Sequence, residues 1–264
     1  MKKSTLRPGF IPRNRSDRDY IVKEVSIADR KRGEDFAIPP RDLWEGYAGD
    51  KVRYLKGGIR DVDVMATLLG KVDFRFAKCN RVLDFGCAAG RMTRHLRKYA
   101  RQAAIWGVDI RADSISWCQH HLSDFGSFAT TTCLPHLPFE DGYFDLILAG
   151  SVFTHIDALL QTWLLELARI LKVGGRLYFT VHDLETIKSL KAQPHLWLSK
   201  RMTRSQIYRK SEQGFLKMVV GRGENVQVFY DPRYLQSLIP PMFEWELHES
   251  LAYLWQAAVI LKRV

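Results

Sequence analysis

VLDFGCAAGRM, residues 82–92, is the stretch from which the fold can be read. An apolar run of strand length meets an aspartate, then a turn of small residues, then basic sequence suited to a helix. A glycine turn between a strand and a helix presents backbone N–H groups to a ligand. In open α/β sheets, ligands sit there, beyond the C-terminal strand ends. The dinucleotide spacing Gly-x-Gly-x-x-Gly, counted from Gly86, demands glycine at 88 and 91, where the chain has Ala88 and Arg91. The Gly-Lys-Ser/Thr of a phosphate-binding loop is absent. The frame that fits is Asp84-x-Gly86-x-Ala88-x-Gly90. An acid at the strand end repels a pyrophosphate and favours a cation.

Outward from this turn the chain alternates. Segments 81–86, 103–110, 143–152 and 176–183 have the apolar runs of buried strands, and 226–230, 243–250 and 257–264 return to strand-like sequence. Between them, 91–100, 112–122 (opened by Asp113 or Ser114), 157–172 and 231–239 read as helices. Gly174–Gly175 ends the third of these. Upstream, 61–72 has one apolar face and Asp61 as a candidate N-cap. The pattern predicts an α/β, Rossmann-like, doubly wound seven-stranded sheet. It is expected to be mostly parallel, with an antiparallel C-terminal strand and helices on both faces.

With four blocks in order, the chain resembles the class I S-adenosylmethionine-dependent methyltransferases. VLDFGCAAGR matches that family's first motif, with Ala88 in place of the usual middle glycine. WGVDI (106–110) matches the second; Asp109 lies 19 residues after Gly90, where an acid bonds ribose hydroxyls. LPFEDGYFDLILAGSVFTHI (137–156) and LARILKVGGRLYFTVHD (167–183) resemble the third and fourth blocks. The cofactor this implies, S-adenosyl-L-methionine, carries an ammonium and a sulfonium and no phosphate, which would explain Asp84. The resemblance implies cofactor contacts from Asp84, Phe85, Gly86, Cys87, Ala88, Gly90, Asp109, Ile110 and Ser151. The family often has an adenine-binding acid four places before Leu-Pro-Phe. Cys133 stands there, a poor acceptor, so backbone contacts at Cys133 and Leu134 are expected instead.

Methyl transfer is an in-line displacement in which alignment matters most. An oxygen nucleophile usually also needs a base. His155, after the third strand, and His182 and Asp183, ending the fourth, are the candidates. No metal-ligand spacing is found, and the four cysteines form no CxxC pair.

The 264 residues carry a net charge of +11. Residues 1–32 hold ten Lys/Arg against four Asp/Glu. The chain is therefore expected to comprise a flexible basic arm (1–35), a helical lead-in or lid (36–78) and a methyltransferase domain (79–264) with a substrate-side insertion at about 184–225. KRMTRSQIYRK (200–210), with five basic residues and no acid, reads as a clamp for an anionic substrate or as an exposed helix face. The absence of a signal-like or bilayer-length apolar run suggests a cytoplasmic protein. The leading expectation is methyl transfer to an O or N nucleophile of a small-molecule or glycan-type acceptor. An RNA or protein methyltransferase using the arm, and a non-catalytic cofactor-binding protein, are the alternatives. Nucleic acid is the lesser partner because no RNA-binding module or base-methylation motif is present.

Overall fold

The computed structural model describes residues 37–211 and 214–264. The expected basic arm lies outside them. Among the described residues nine strands form: β1 (Arg81–Phe85), β2 (Ala104–Asp109), β3 (Ser127–Thr130), β4 (Phe144–Ala149), β5 (Leu171–Val181), β6 (Lys217–Val220), β7 (Gln227–Tyr230), β8 (Phe243–Tyr253) and β9 (Gln256–Arg263). Seven make one sheet in the order β3-β2-β1-β4-β5-β9-β8. The pairs among β1 to β5 are parallel. β9 pairs antiparallel with both β5 and β8, so it alone runs against the others.

Seven segments were expected as strands and the sheet has seven, but the two sets differ by one member. β7 pairs with β6 in a separate two-stranded sheet, and the short β3, which has no apolar run to betray it, takes the seventh place. β3 becomes a strand by pairing with β2, from Trp106↔Ser127 to Asp109↔Thr130.

The core lies on both faces of the sheet, as alternation along each strand dictates. Leu83, Ile147, Leu177 and Phe179 pack into one cluster, with Trp163, Leu164 and Leu167 of α3 (Leu160–Ile170). Val82, Leu146, Leu148 and Tyr178 pack into the other, with Val62, Met65 and Leu69 of α1 (Lys51–Lys71).

Three helix expectations are corrected. The helix predicted from Asp61 begins ten residues earlier, where the Asp50 side chain accepts a hydrogen bond from Arg53 N. Gly57 and Gly58 had masked this first half, being poor helix formers. Gly58 is there for packing, since a Cβ would lie 2.4 Å from the Arg91 carbonyl oxygen. The predicted helix over 91–100 is a single 3-10 stretch, Thr93–Lys98. In α2 (Ala112–His121) the N-cap is Arg111, with Asp113 in the first turn and paired to Arg111.

Residues 184–222 build a small section of α4 (Leu184–Lys191), α5 (Trp197–Arg204), α6 (Gln206–Ser211) and β6 around their own apolar cluster. This section is tied to the C-terminal rim of the main sheet, where Tyr230 N donates to His182 O and Val228 N to Thr154 O.

Candidate active site

The turn after β1 is shaped by left-handed backbone. Gly86 and Gly90 have φ of +80° and +70°, and a Cβ on either would collide with Val152 or Leu122. Ala88 also has a positive φ, +46°, which costs an L-residue about 1 kcal/mol. The usual glycine at this place would adopt that conformation without strain. Asp109, ending β2, holds the turn by accepting from Ala88 N at 2.8 Å through one oxygen. Its other oxygen accepts from Arg111 N at 2.8 Å.

A narrow cleft opens at this turn. Asp84, Gly86, Cys87 and Ala88 form its floor, and Leu43, Trp44, Glu45 and Tyr47 cover it. Arg91, Met92, Gly150 and Tyr253 close the far side. The Asp84 carboxylate is 3 % exposed and accepts from Thr93 Oγ1 at 2.5 Å. Burial pushes its pKa up to about 7, against the lowering influence of Thr93 and Arg91. Desolvation thus leaves this acid only partly ionised at neutral pH. The cleft's own guanidinium, Arg91, is committed elsewhere. It pairs with buried Asp61 at 2.8 Å, donates to the Tyr253 hydroxyl and lies 4.0 Å from the centre of the Tyr47 ring. Burial opposes its charge, but the tyrosines and Asp61 more than offset that. Tyr253 in turn donates to the Tyr47 hydroxyl at 3.1 Å. Burial raises the Tyr253 hydroxyl far above its ordinary value, so it stays protonated at neutral pH.

These groups fit S-adenosylmethionine. They offer a buried acid to a cation, and the cleft's guanidinium is already paired; Asp109 holds the turn but is not among the lining residues. Of the residues expected at the cofactor, Asp84, Gly86, Cys87 and Ala88 line the cleft. Phe85 points into the core, 4.8 Å ring to ring from Trp163, which leaves only its backbone for a ligand. Gly90 serves the turn. Ile110, half-buried, and Cys133 and Leu134, in the loop beyond β3, lie outside the cleft lining. Leu134 is 62 % exposed and its N–H donates to Thr132 Oγ1. Ser151 follows β4 with a φ of +59°. Its N–H donates to Thr180 Oγ1, and its hydroxyl accepts from Gln256 Nε2 at 2.8 Å.

The three expected catalytic residues are not brought to the cleft. His155 Nδ1 lies 3.0 Å from Val226 O and 3.3 Å from Gln227 Nε2. His182 is enclosed, stacked on Phe229, with Nε2 2.9 Å from Gln227 Oε1. Burial drives its pKa down to about 4, so it is neutral. Asp183 caps α4 by accepting from Thr186 N and also accepts from Ser250 Oγ. Burial alone would raise its pKa, but hydrogen bonds from His248, Ser250 and Thr186 hold it near 2. Thus His182 and Asp183 join the β6–β7 section and β8 to the end of β5. Strand-end position had singled them out, but it does not reveal which way a side chain turns.

Sequence reading overlooked Arg91, Tyr253 and Gln256. Arg91 stood in the quoted motif and could have been questioned as a buried charge. The other two are 162 and 105 residues from their partners Arg91 and Ser151, and no local pattern links them.

Residues 83–179 match the family described as a methyltransferase domain. The fatty-acid O-methyltransferase of Mycolicibacterium smegmatis is 30 % identical over 149 residues, 54 % of each chain. The malonyl-[acyl-carrier protein] O-methyltransferase of Hahella chejuensis is 23 % identical over 66 % of this chain and 61 % of its own length. The chain thus spans little more than half the length of these curated relatives. Among solved structures, magnesium protoporphyrin IX methyltransferase from Synechocystis PCC 6803, with bound S-adenosylhomocysteine, superposes with a TM-score of 0.56. That likeness is one of fold, at 15 % identity over 85 % of this chain and 92 % of that one. Residues 83–179, which carry the four motif blocks, are thus similar to a methyltransferase domain, and the sheet around them shares the fold of solved methyltransferases.

Proposed function

We propose that this chain transfers a methyl group from S-adenosylmethionine to an oxygen of a small-molecule acceptor. The observation that carries the reading is the cleft itself. It is lined by the buried Asp84 and the glycine turn at the end of β1, by Gly150 after β4 and by Tyr253 at the end of β8. When bound, the cofactor supplies a methyl group already activated on a sulfonium. The protein's task is then to bind, orient and exclude water. Asp84 would answer the cofactor's positive charge, and Asp109, which holds the turn, would receive ribose hydroxyls. Backbone at Cys133 and Leu134, outside the cleft lining, would hold the adenine only by extending the site beyond the cleft.

On the acceptor side, the Tyr253 and Tyr47 hydroxyls orient the nucleophile, with Arg91 fixing Tyr253. Tyr253 stays protonated and its O–H donates to Tyr47, so it takes no proton from the acceptor, and Tyr47 is the hydroxyl left to donate. The cofactor held there would supply its methyl carbon as the electrophile for the acceptor oxygen, with the sulfur as leaving group. A carboxylate acceptor needs no base for this step, whereas a hydroxyl must lose its proton. Two curated relatives are named for O-methylation of a fatty acid and of a malonyl group, which favours a carboxylate acceptor. His155, His182 and Asp183 then serve as positioning residues.

Calorimetric titration with S-adenosylmethionine and S-adenosylhomocysteine, with NAD as control, tests the cofactor. Binding of the first two alone, weakened tenfold or more by Asp84→Asn, is expected. No binding of either would overturn the reading in favour of a degenerate site. Turnover with short fatty acids and malonyl thioesters, compared with sugars, then tests the acceptor.

A further inference from the structure

The positive charge of this chain is concentrated in two places. One is residues 1–32. The other is residues 184–222, with nine Lys/Arg against two Asp/Glu. The second segment forms the section that stands on the C-terminal rim of the sheet. Within it, α5 has two distinct faces. Leu198, Ser199 and Met202 are buried. Trp197, Lys200, Arg201 and Arg204 follow the i, i+3, i+4, i+7 spacing of a single helix face. Trp197 is 56 % exposed, Lys200 and Arg204 are exposed, and Arg201 is half-buried. Lys200 and Arg204 form no ion pair among the described residues, whereas Lys188 and Lys217 of the same section do. Leu184 and Leu216 of the section are also exposed, at 38 % and 62 %.

We propose that this section docks on a lipid surface bearing anionic headgroups, with the Trp197, Lys200 and Arg204 face of α5 as its main contact. Basic side chains beside a surface tryptophan match the composition of interfacial helices, in which the ring enters the headgroup layer and the cations meet lipid phosphates. Exposed leucines favour lipid over nucleic acid, because a leucine does not stack on a base but gains from an acyl boundary. The binding does not depend on methyl transfer, so its test stands apart from that of the proposed reaction.

The test is co-sedimentation of the full chain with vesicles of phosphatidylcholine alone and of phosphatidylcholine with phosphatidylglycerol. Binding to the anionic vesicles only, declining as salt is added, is expected. The Lys200→Glu/Arg204→Glu variant should bind roughly tenfold or more weakly. Trp197→Ser should weaken binding several-fold while keeping the salt dependence. Both variants should keep wild-type circular dichroism and cofactor affinity. A wild type that stays in solution overturns the proposal. So do variants that bind like wild type, which would assign the attraction to other charges such as the N-terminal arm. Binding of polyuridylate RNA, but not of vesicles, through the same residues would replace lipid by nucleic acid.

Discussion

Asp84 shows how a motif residue acquires its property from its surroundings. A free aspartate is ionised at neutral pH, but this one is enclosed, and burial raises its pKa to about 7. The folded state therefore keeps a proton that the unfolded chain releases near pH 4. Asp84 contributes most to folding below that pH, and its contribution declines as pH rises from about 4 to about 7. Cofactor binding has the opposite dependence, because a cation pairs with the ionised form. Affinity should rise about tenfold per pH unit well below 7 and level off above it, with a proton released on binding. Titrations in buffers of different ionisation enthalpy would show this, and Asp84→Asn should flatten the profile. Ala88 makes a second case. Its left-handed backbone suits glycine, so Ala88→Gly should leave the melting temperature unchanged or raise it slightly. Relief of about 1 kcal/mol of strain is set against the greater freedom of an unfolded glycine. A clear loss of stability would show that the methyl group packs usefully.

The segment over the cleft is held by a few side chains that bridge elements. Arg111 pairs with Glu45, Arg94 Nη1 donates to Ala37 O at 2.8 Å, and Tyr47 meets Tyr253. With Leu43 and Trp44 lining the cleft, a ligand as large as a nucleoside enters only if this segment lifts. Glu45→Ala should therefore speed both association and dissociation of S-adenosylhomocysteine in stopped-flow measurements, changing the affinity less than either rate. Equal rates in variant and wild type would mean that the pair does not latch the segment. On the same C-terminal rim of the sheet, beyond β5, Asp183 caps α4. Its pKa, held near 2, gives a stabilisation that is complete above about pH 4 and fades as pH falls toward 2. Asp183→Ala should cost about 1–2 kcal/mol in urea denaturation at pH 7, and less in acid.

Across the whole molecule, one buried ion pair connects parts that are distant in sequence. Asp61 of α1 meets Arg91 after the first motif, and Arg91 reaches Tyr253 of β8. Arg91→Met removes the buried cation from a carboxylate that is 1 % exposed and leaves it only the exposed Arg60, so a loss of up to about 3–5 kcal/mol is expected. Arg91→Met combined with Asp61→Leu should recover much of that loss, because the desolvated charge goes too. Equilibrium urea unfolding of both variants measures the difference. If the double variant is no more stable than the single one, the pair's value lies in its contacts with the tyrosines.

By itself the sequence determined the α/β alternation, the glycine turn and the acids at the ends of β1 and β2. All of these are local: apolar runs of strand length, helical periodicity and special backbone positions are properties of neighbouring residues. The helix start at Asp50, the strand role of Ser127–Thr130 and the separate pairing of β7 were decided by tertiary contacts. So was the contrast between Asp84, which lines the cleft, and His182, which is sealed away on Phe229. Each of those outcomes depends on partners tens of residues away. Burial and pairing across that distance set both the direction of a side chain and its charge.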